Sequence, residues 1–187
     1  MEAIYTIDFA ILHWIMDNLW CPFLDWLMPL ITLLGEDGIF WIAVAALLLI
    51  FPQTRKTGAM MGVAMVLGLL VGNLTMKPAF ARIRPYENEA GRTVELLVEK
   101  LSDYSFPSGH TLVCFEAATV LMLRQRKPWG IIALVSAFLV AFSRLYLYVH
   151  YPSDVLAGML LGTLFGFCGV WMVNGVTGAW QNRKAHQ

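Results

Sequence analysis

Lys77 and Arg84 are basic residues that could hold a phosphate group. They are seven positions apart, and Pro85 follows Arg84 directly. Seven residues are about two helical turns, so the two side chains project to one side if a helix continues past Pro78. Arginine offers a planar fork of donors and lysine a compact charge, a pair that suits a phosphate dianion. Arg82 lies off this side, and we expect it to be solvated or to face lipid headgroups. The alternative interpretation is that all three are edge cations whose stems extend along apolar surface.

A second cluster, Pro-Ser-Gly-His at positions 107–110, precedes an apolar run. A turn of this kind that opens a helix leaves backbone N–H groups free, and the N-terminus of a helix favours anions. Gly109 lets a ligand approach the backbone, and His110 can deliver a proton. The structural alternative is that Ser108 caps the helix and the histidine is interfacial.

The third cluster consists of Ser143, Arg144, His150 and Asp154. Ser143 and His150 are seven apart and share a helix face, whereas Asp154 follows across a turn at which Pro152 is expected to begin the last helix. Asp154 can accept the ring N–H of His150, which leaves the other nitrogen as a base or nucleophile. A capping aspartate and an incidental histidine are the alternative. Arg144 makes this alternative less favourable, because burying an arginine in an apolar stretch costs free energy unless the side chain faces a polar site.

The elements that carry these clusters are too apolar for a water-soluble protein. Of the 187 residues, 58% are hydrophobic and only 14% are charged, against roughly 25% charged residues in soluble domains. The sequence predicts an all-α, polytopic membrane bundle in which six helices cross the bilayer. The expected crossings are 19–34, 39–51, 58–76, 109–123, 128–149 and 155–173.

We expect a single membrane-embedded domain over residues 1–187. Residues 1–18 are predicted to form an interfacial helix that lies on the membrane, because a helical projection places the apolar side chains on one side and most polar ones on the other. Residues 19–51 form a first helical hairpin, 58–173 a four-helix core that bears the three clusters, and 174–187 a cytoplasmic tail. The apolar side of the interfacial helix carries Ile4, Ile7, Ile11 and Trp14.

The distribution of charge predicts the orientation, although 13 basic residues balance 13 acidic ones overall. Basic residues in short connections mark the cytoplasmic side, where we expect both termini, with the three clusters outside. The balanced total gives no reason to expect nucleic acid as a partner. The basic residues that define the cytoplasmic side are Arg55, Lys56, Arg124, Arg126, Lys127, Arg183 and Lys184. In the long outer connection, the spacing of Val94, Leu97, Val98 and Leu101 predicts a short amphipathic helix.

Together the three clusters resemble the type 2 phosphatidic acid phosphatase family, the integral-membrane relatives of the vanadium haloperoxidases. The signatures of that family are Lys-x6-Arg-Pro, Pro-Ser-Gly-His and Ser-Arg-x5-His-x3-Asp. All three are matched in full and in the family order: Lys77 with Arg84 and Pro85, Pro107 to His110, and Ser143 with Arg144, His150 and Asp154. The resemblance extends over residues 58–173.

The resemblance implies a role for each matched residue. His150 attacks phosphorus and gives a phosphohistidine that water then hydrolyses, Asp154 orients the imidazole, and His110 protonates the leaving oxygen. The remaining matched residues are expected to hold the phosphate oxygens: Lys77, Arg84, Ser108, Gly109, Ser143 and Arg144. Three of these are cations that can neutralise a phosphoryl group, so we expect no metal ion and no cofactor.

The expected substrate is a lipid phosphate in the outer leaflet of a bacterial plasma membrane, because a lipid reaches such a site by lateral diffusion. Undecaprenyl diphosphate is the first expectation. Phosphatidylglycerol phosphate, phosphatidic acid and phosphate transfer between lipids are alternatives, and a lipid transporter is a more distant one, because transport sites lie at the midplane. Glu116 is expected to be a buried structural carboxyl; a proton relay or a contact that selects the lipid tail is its alternative role.

Overall fold

The computed structural model of the protein describes residues 2–88 and 94–185, and within them it contains helices and connections but no β-strand. A 3₁₀ segment (Leu33–Gly38) joins the second and third helices, and a π-helical segment (Gly68–Met76) extends the fourth. The helices are α1 (Glu2–Leu19), α2 (Pro22–Thr32), α3 (Ile39–Ile50), α4 (Arg55–Leu67), α5 (Lys77–Phe80), α6 (Pro85–Asn88), α7 (Gly109–Arg124), α8 (Lys127–Tyr146) and α9 (Pro152–Ala185).

Four segments of the described chain are long and apolar enough to cross a membrane: Pro22–Ile50, Arg55–Asn88, Lys127–Tyr146 and Pro152–Ala179. Large apolar side chains on these segments are exposed, as expected where lipid rather than water is the solvent. The prediction of an all-helical membrane protein is therefore confirmed. The predicted count of six crossings is not confirmed, because the predicted hairpin is a single apolar segment with a bend and because α7, with 16 residues, is not among the four segments.

The bend lies at Glu36, Asp37 and Gly38, where the backbone leaves the helical conformation. Asp37 and Gly38 both have positive φ, 47° and 68°. Glycine adopts this conformation without steric cost, which explains its place at the start of α3. The bend lies against α7, since a methyl group added at Gly35 would come within 3.0 Å of the His110 ring.

Helix α7 lies at the centre of the bundle and packs most closely on α9. Three glycines of α9 make this contact possible, because each faces α7 where a methyl group would collide with it. A methyl group at Gly158 would lie 2.8 Å from the Ser108 carbonyl oxygen, and one at Gly162 would lie 2.4 Å from that of Leu112. The starts of α7 and α9, which carry two of the three clusters, are thereby held at a fixed separation.

One end of the bundle carries all three clusters, and we call it the site end. Helix α1 lies there, because the backbone N–H of Ser153 donates to Asp8 Oδ1 at 2.9 Å and Leu12 packs with Tyr148 and Tyr151. Helix α9 starts at the same end, but its 34 residues extend about 51 Å away from it. This arrangement contradicts the expectation that both termini share one side.

Two further expectations about the elements are corrected. The described part of the outer connection, residues 94–104, has no helix, and its earlier residues 89–93 lie outside the described chain. Its apolar residues Leu96, Val98 and Leu101 instead pack on the buried ends of α1, α2 and α8. The predicted tail is helical as far as Ala185, because α9 continues through it, and residues 186–187 lie outside the described chain.

Candidate active site

A cavity of about 1050 Å³ joins a polar group at the site end to an apolar channel between α3, α4 and α7. The polar side chains at its site end include Lys77, Arg84, Asp103, His110, His150, Asn73, Glu36 and Asp37. Farther along, the wall is formed by Ile42, Ala45, Leu49, Met65, Val66, Leu69 and Leu112, with glycines between them. The cavity therefore offers cations at one end and hydrocarbon along its length.

His150 lies in the connection between α8 and α9, buried, with its Nε2 atom 3.2 Å from Nη1 of Arg84. The same Nη1 donates to the Val149 carbonyl oxygen at 2.7 Å, which fixes the guanidinium beside the ring. Helix α8 ends at Tyr146, so His150 and Ser143 do not share a helix face as the sequence predicted. The turn, not the helix, presents His150 to the cavity.

The other ring nitrogen of His150 faces Asp154, and Ser105 lies between them. Nδ1 is 3.6 Å from Asp154 Oδ2 and 3.4 Å from Ser105 Oγ, and this hydroxyl donates to Asp154 Oδ2. Asp154 is further fixed by the backbone N–H of Tyr151, 3.0 Å from Oδ2. The structure thus brings His150 and Asp154 together, with a serine to which the sequence analysis gave no role.

The protonation state of His150 follows from these surroundings. Burial, together with the positive charges of Arg84, Arg144 and Lys77, holds the pKa of His150 well below its ordinary value. The ring is therefore neutral at neutral pH. With Nδ1–H directed at the carboxylate side, Nε2 carries the lone pair, which accepts from Arg84 Nη1.

Lys77 and Arg84 converge, but not along one helix. Helix α5 ends at Phe80, and Ala81 adopts a left-handed conformation with φ of 43°. Both cations nevertheless pair with the carboxylate of Asp103, Arg84 through Nη2 and Lys77 through Nζ. Burial acts to raise the pKa of Asp103, but these ion pairs outweigh it and lower that pKa to about 2. Asp103 is a residue that sequence reasoning missed, since it belongs to none of the clusters.

Arg144 is buried at the end of α8, with Nη1 donating to the Thr32 hydroxyl at 2.6 Å. Its Nε and Nη2 atoms are also buried and have no hydrogen-bond partner within the described chain. Buried donors of this kind are rarely left unpaired in proteins. Arg144 does not itself line the cavity, but its charge acts on His150, which does.

The hydroxyl groups of the two predicted serine ligands serve their own helices. Ser143 donates to the Val140 carbonyl oxygen at 2.7 Å. Ser108 is the N-cap of α7 and accepts from the backbone N–H of Thr111. Neither residue lines the cavity, whereas Gly109 does. A methyl group there would lie 3.1 Å from Asn73 Oδ1, so Gly109 allows the backbone to come close to polar groups.

His110 pairs with a residue of the bend that precedes α3. Its Nε2 atom lies 3.0 Å from Glu36 Oε2. His110 also faces the same cavity as His150. Glu36 lies 74 residues away in sequence and in no recognised pattern, so nothing in the sequence analysis indicated this contact.

Arg82 corrects another expectation, since it is neither solvated nor directed at headgroups. Its Nη1 atom pairs with Asp154 Oδ1 at 2.5 Å and its Nη2 atom with Asp8 Oδ2 at 2.7 Å. The guanidinium carbon lies 3.9 Å from the centre of the Tyr151 ring. Arg82 therefore links helix α1 to the third cluster.

Glu116 lies deeper along the cavity, on α7. Its Oε1 atom is buried without a hydrogen-bond partner in the described chain, and a methyl group at Gly68 would lie 2.0 Å from it. The carboxyl group thus occupies space that a glycine of the π-helical segment leaves open. Within the described residues, no three His, Cys, Asp or Glu side chains come together as metal ligands would.

Comparison with known proteins identifies relatives that share this architecture. The PAP2 superfamily model matches residues 57–177. An undecaprenyl-diphosphatase of Sulfolobus acidocaldarius is 40% identical over 147 residues, which cover 79% of this chain and 69% of the relative. The undecaprenyl-diphosphatase BcrC of Bacillus subtilis is 30% identical, over 77% of this chain and 72% of the relative.

A solved structure has the same fold. The crystal structure of LpxE from Aquifex aeolicus superposes with a TM-score of 0.75 at 27% identity, covering 88% of this chain and 94% of that one. The family model spans well over half of the chain and includes all three clusters. The chain belongs to the PAP2 superfamily.

Proposed function

We propose that this membrane phosphatase releases phosphate from an isoprenoid diphosphate, with undecaprenyl diphosphate as its substrate. The observation that carries the proposal is the single cavity in which the cations and histidines continue into an apolar channel. A lipid with a phosphorylated head and a long hydrocarbon tail complements both parts. Two relatives, at 40% and 30% identity, are undecaprenyl-diphosphatases, which supports the same substrate for this chain.

In the proposed first step, Nε2 of neutral His150 attacks the terminal phosphorus. The bond between that phosphorus and the bridging oxygen breaks, and His110, which starts this step protonated beside the Glu36 carboxylate, gives its proton to the leaving lipid monophosphate. Asp154 and Ser105 hold the Nδ1 side of the ring, so the positive charge that develops on the imidazole meets a carboxylate. The product of this step is a phosphohistidine.

In the second step, water attacks the phosphohistidine, and His110 takes the proton of that water as the bond from nitrogen to phosphorus breaks. Inorganic phosphate leaves and both histidines return to their starting states. Lys77, Arg84 and Arg144 supply fixed positive charge for the phosphate oxygens in both steps. Because these cations serve where a metal ion would otherwise neutralise charge, we expect activity in EDTA.

We propose a membrane arrangement that revises the sequence prediction. Helices α3, α4 with its π-helical extension, α7, α8 and α9 cross the bilayer, one crossing fewer than predicted. The contacts of α2 favour this count, because Asp25 accepts from the Tyr146 hydroxyl at 2.6 Å and Thr32 contacts Arg144, both at the site end.

The interfacial position predicted for α1 is retained in this proposal. Its side chains Ile7 and Trp14 are exposed at the site end, where they can enter the bilayer surface. The basic residues Arg55, Lys56, Arg124, Arg126 and Lys127 all lie at the opposite bundle end. That end is therefore cytoplasmic by the positive-inside rule, and the site faces the outer leaflet.

Glycerolipid phosphates are the second candidate substrates. Phosphatidylglycerophosphatase B of Bacillus subtilis is 32% identical over 76% of this chain and 66% of that relative. The cationic end of the cavity offers the same contacts to a monophosphate. The two candidates differ in the group that leaves phosphorus, which is a lipid monophosphate for the isoprenoid diphosphate and a lipid alcohol for the glycerolipid phosphate.

The proposal is tested by phosphate release from purified protein in detergent, with undecaprenyl diphosphate, phosphatidylglycerol phosphate and phosphatidic acid supplied separately, each with and without EDTA. We expect the highest kcat/KM for undecaprenyl diphosphate and no effect of EDTA. His150→Ala should abolish release, because no nucleophile remains. Preference for a soluble phosphoester over all three lipids would overturn the substrate class.

The control for this experiment is Glu99→Gln, which replaces an exposed acid of the outer connection that lies outside the cavity. It should release phosphate at the wild-type rate. Both variants should elute as single species and melt within a few degrees of the wild type. Residual activity of folded His150→Ala near the wild-type rate would disprove the phosphohistidine mechanism.

A further inference from the structure

We infer that Asp8 of helix α1 is a positioning residue for Asp154, acting through Arg82, and thereby sets the rate at which His150 attacks phosphorus. The inference rests on the proposed phosphohistidine mechanism. It gives a part in that mechanism to a helix that lies outside the residues 57–177 matched by the family model.

A continuous set of contacts leads from Asp8 to the nucleophile. Arg82 bridges two carboxylates, with Nη2 at 2.7 Å from Asp8 Oδ2 and Nη1 at 2.5 Å from Asp154 Oδ1. The opposite oxygen of Asp154 accepts from Ser105, whose hydroxyl lies 3.4 Å from His150 Nδ1. Asp154 is therefore held between the guanidinium of Arg82 and the imidazole side of the site.

A second connection passes through Ser153, the residue before Asp154. Its backbone N–H donates to Asp8 Oδ1 at 2.9 Å, and its hydroxyl donates to Asp8 Oδ2 at 2.6 Å. Arg82 Nη1 donates to the same hydroxyl at 2.7 Å. Asp8 thus fixes the first turn of α9 directly, as well as the arginine that faces it.

Burial indicates that the charge of Asp8 matters as well as its shape. Asp8 is only 2% exposed, although it lies on a helix whose opposite side exposes Ile7 and Trp14. Apolar residues alone would suffice to dock α1, because Leu12 and Ile15 already pack against the bundle. A buried carboxylate costs desolvation free energy that only its partners offset.

The expected effect of removing the Asp8 charge follows from the position of Arg82 between the carboxylates of Asp8 and Asp154. With Asp8 ionised, the guanidinium is balanced between two carboxylates, and Tyr5 and Tyr151 hold its plane at 4.7 and 3.9 Å. With Asp8 neutral, the full positive charge acts on Asp154 alone. Asp154 is then drawn towards Arg82 and away from Ser105 and His150, which misplaces the imidazole for attack.

The test compares Asp8→Asn with Asp17→Asn in the purified full-length protein, using undecaprenyl diphosphate in detergent. Asp17 is an exposed acid of the same helix, so its variant is matched in charge and residue type. We expect Asp8→Asn to lower kcat roughly 10-fold to 100-fold, the loss typical of a misplaced reacting group, with KM unchanged. Asp17→Asn should retain the wild-type kcat, and Asp8→Glu should recover part of the loss.

The pH profile of kcat separates positioning from mere docking of α1. His150 must be neutral to attack, so its pKa sets the acid limb of the profile. Loss of the Asp8 charge makes the surroundings less negative and favours the neutral ring, so the acid limb should move to lower pH. The charged and titratable groups that face His150 from its neighbouring elements are Lys77, Arg84, Asp103, His110, Arg144 and Asp154.

Each outcome decides the inference. A folded Asp8→Asn protein with wild-type kcat, or with a lower melting temperature but an unmoved acid limb, overturns it. If Asp8→Asn does not fold, Ser153→Ala removes the hydroxyl that also contacts Asp8 and Arg82 but keeps the Asp8 charge, so a lower kcat with an unmoved acid limb is required, and a wild-type kcat overturns the inference. An inactive wild type would instead refute the proposed function, which is how the two failures are distinguished.

Discussion

Asp103 bears directly on the proposed phosphate site, because its carboxylate pairs with both Lys77 and Arg84. With a pKa of about 2, this carboxylate stays ionised throughout the pH range in which the enzyme is assayed. A phosphate group that binds to the same two cations must compete with it. In the proposed mechanism, substrate binding at this position is therefore an exchange of one anion for another.

We predict that Asp103→Asn strengthens inhibition by inorganic phosphate. Half-exposed ion pairs contribute at most about 1 kcal/mol, so the inhibition constant should fall by about fivefold. The measurement is phosphate inhibition of lipid phosphate release at fixed pH. Glu99→Gln removes an exposed acid from the same outer connection and serves as the control. An unchanged inhibition constant for Asp103→Asn would show that Asp103 does not compete with phosphate.

At the scale of residues, the sequence predicted that His150 and Asp154 lie together, but not the side chains that connect them to the rest of the site. The spacing of His150 and Asp154 placed both at one turn, as found. Ser105 was given no role. Arg82 was expected to be solvated or to face headgroups, because the helical projection did not include Ala81, whose left-handed backbone redirects the chain after α5. A helical projection cannot anticipate such a change, since it assumes that the helix continues.

At the scale of elements, the contact between α7 and α9 depends on glycine. A methyl group at Gly162 would lie 2.4 Å from the Leu112 carbonyl oxygen and 2.9 Å from Phe115 Cβ. Because the Leu112 carbonyl oxygen belongs to the backbone, the collision can be relieved only if α7 shifts, and His110 at the start of α7 would shift with it. The glycine spacing in α9 predicted this close approach from the sequence.

We predict that Gly162→Ala destabilises the protein by about 1–3 kcal/mol, the usual cost of overpacking, and lowers kcat. The measurement is thermal unfolding in detergent together with phosphate release. Gly175→Ala is the matched control, since a methyl group there meets nothing within 4 Å on the same helix. The control should melt at or slightly above the wild-type temperature, because alanine favours helix. Equal melting temperatures for the two variants would contradict the packing argument.

Other elements were beyond what hydropathy can predict. The apolar spacing of residues 94–101 matches a helix, yet Leu96, Val98 and Leu101 pack in an irregular segment against other elements. The spacing of apolar side chains does not show which elements those side chains pack against. Likewise, the apolar run of residues 19–34 predicted a crossing, whereas its helix α2 makes its polar contacts at the site end.

At the scale of the whole molecule, the two ends of the bundle differ in charge and in what they carry. The site end bears the clusters and α1, and the opposite end bears Arg55, Lys56 and the basic connection 124–127. Hydropathy and charge predicted this separation correctly in outline. The position of the N-terminus could not be predicted, because it depends on the buried contact between Asp8 and Ser153.

The proposed orientation predicts which cysteines an impermeant maleimide can label in intact cells. In a background with Cys21, Cys114 and Cys168 replaced by serine, Glu2→Cys and Glu99→Cys should be labelled, because both positions are exposed at the site end. Lys56→Cys should be labelled only after the membrane is permeabilised. Labelling of Lys56→Cys but not Glu99→Cys in intact cells would reverse the orientation.

The cavity wall also has a consequence for the design of inhibitors. A methyl group at Gly62 would meet nothing within 4 Å, and Gly62 lines the apolar channel beyond the cations. Gly68 and Gly72 offer no such space, because a methyl group at either would lie within 3 Å of a side chain of α7. A phosphonate head held by Lys77 and Arg84 should therefore gain affinity from a hydrophobic group that extends past Gly62 between α3 and α4, and little from one directed towards α7.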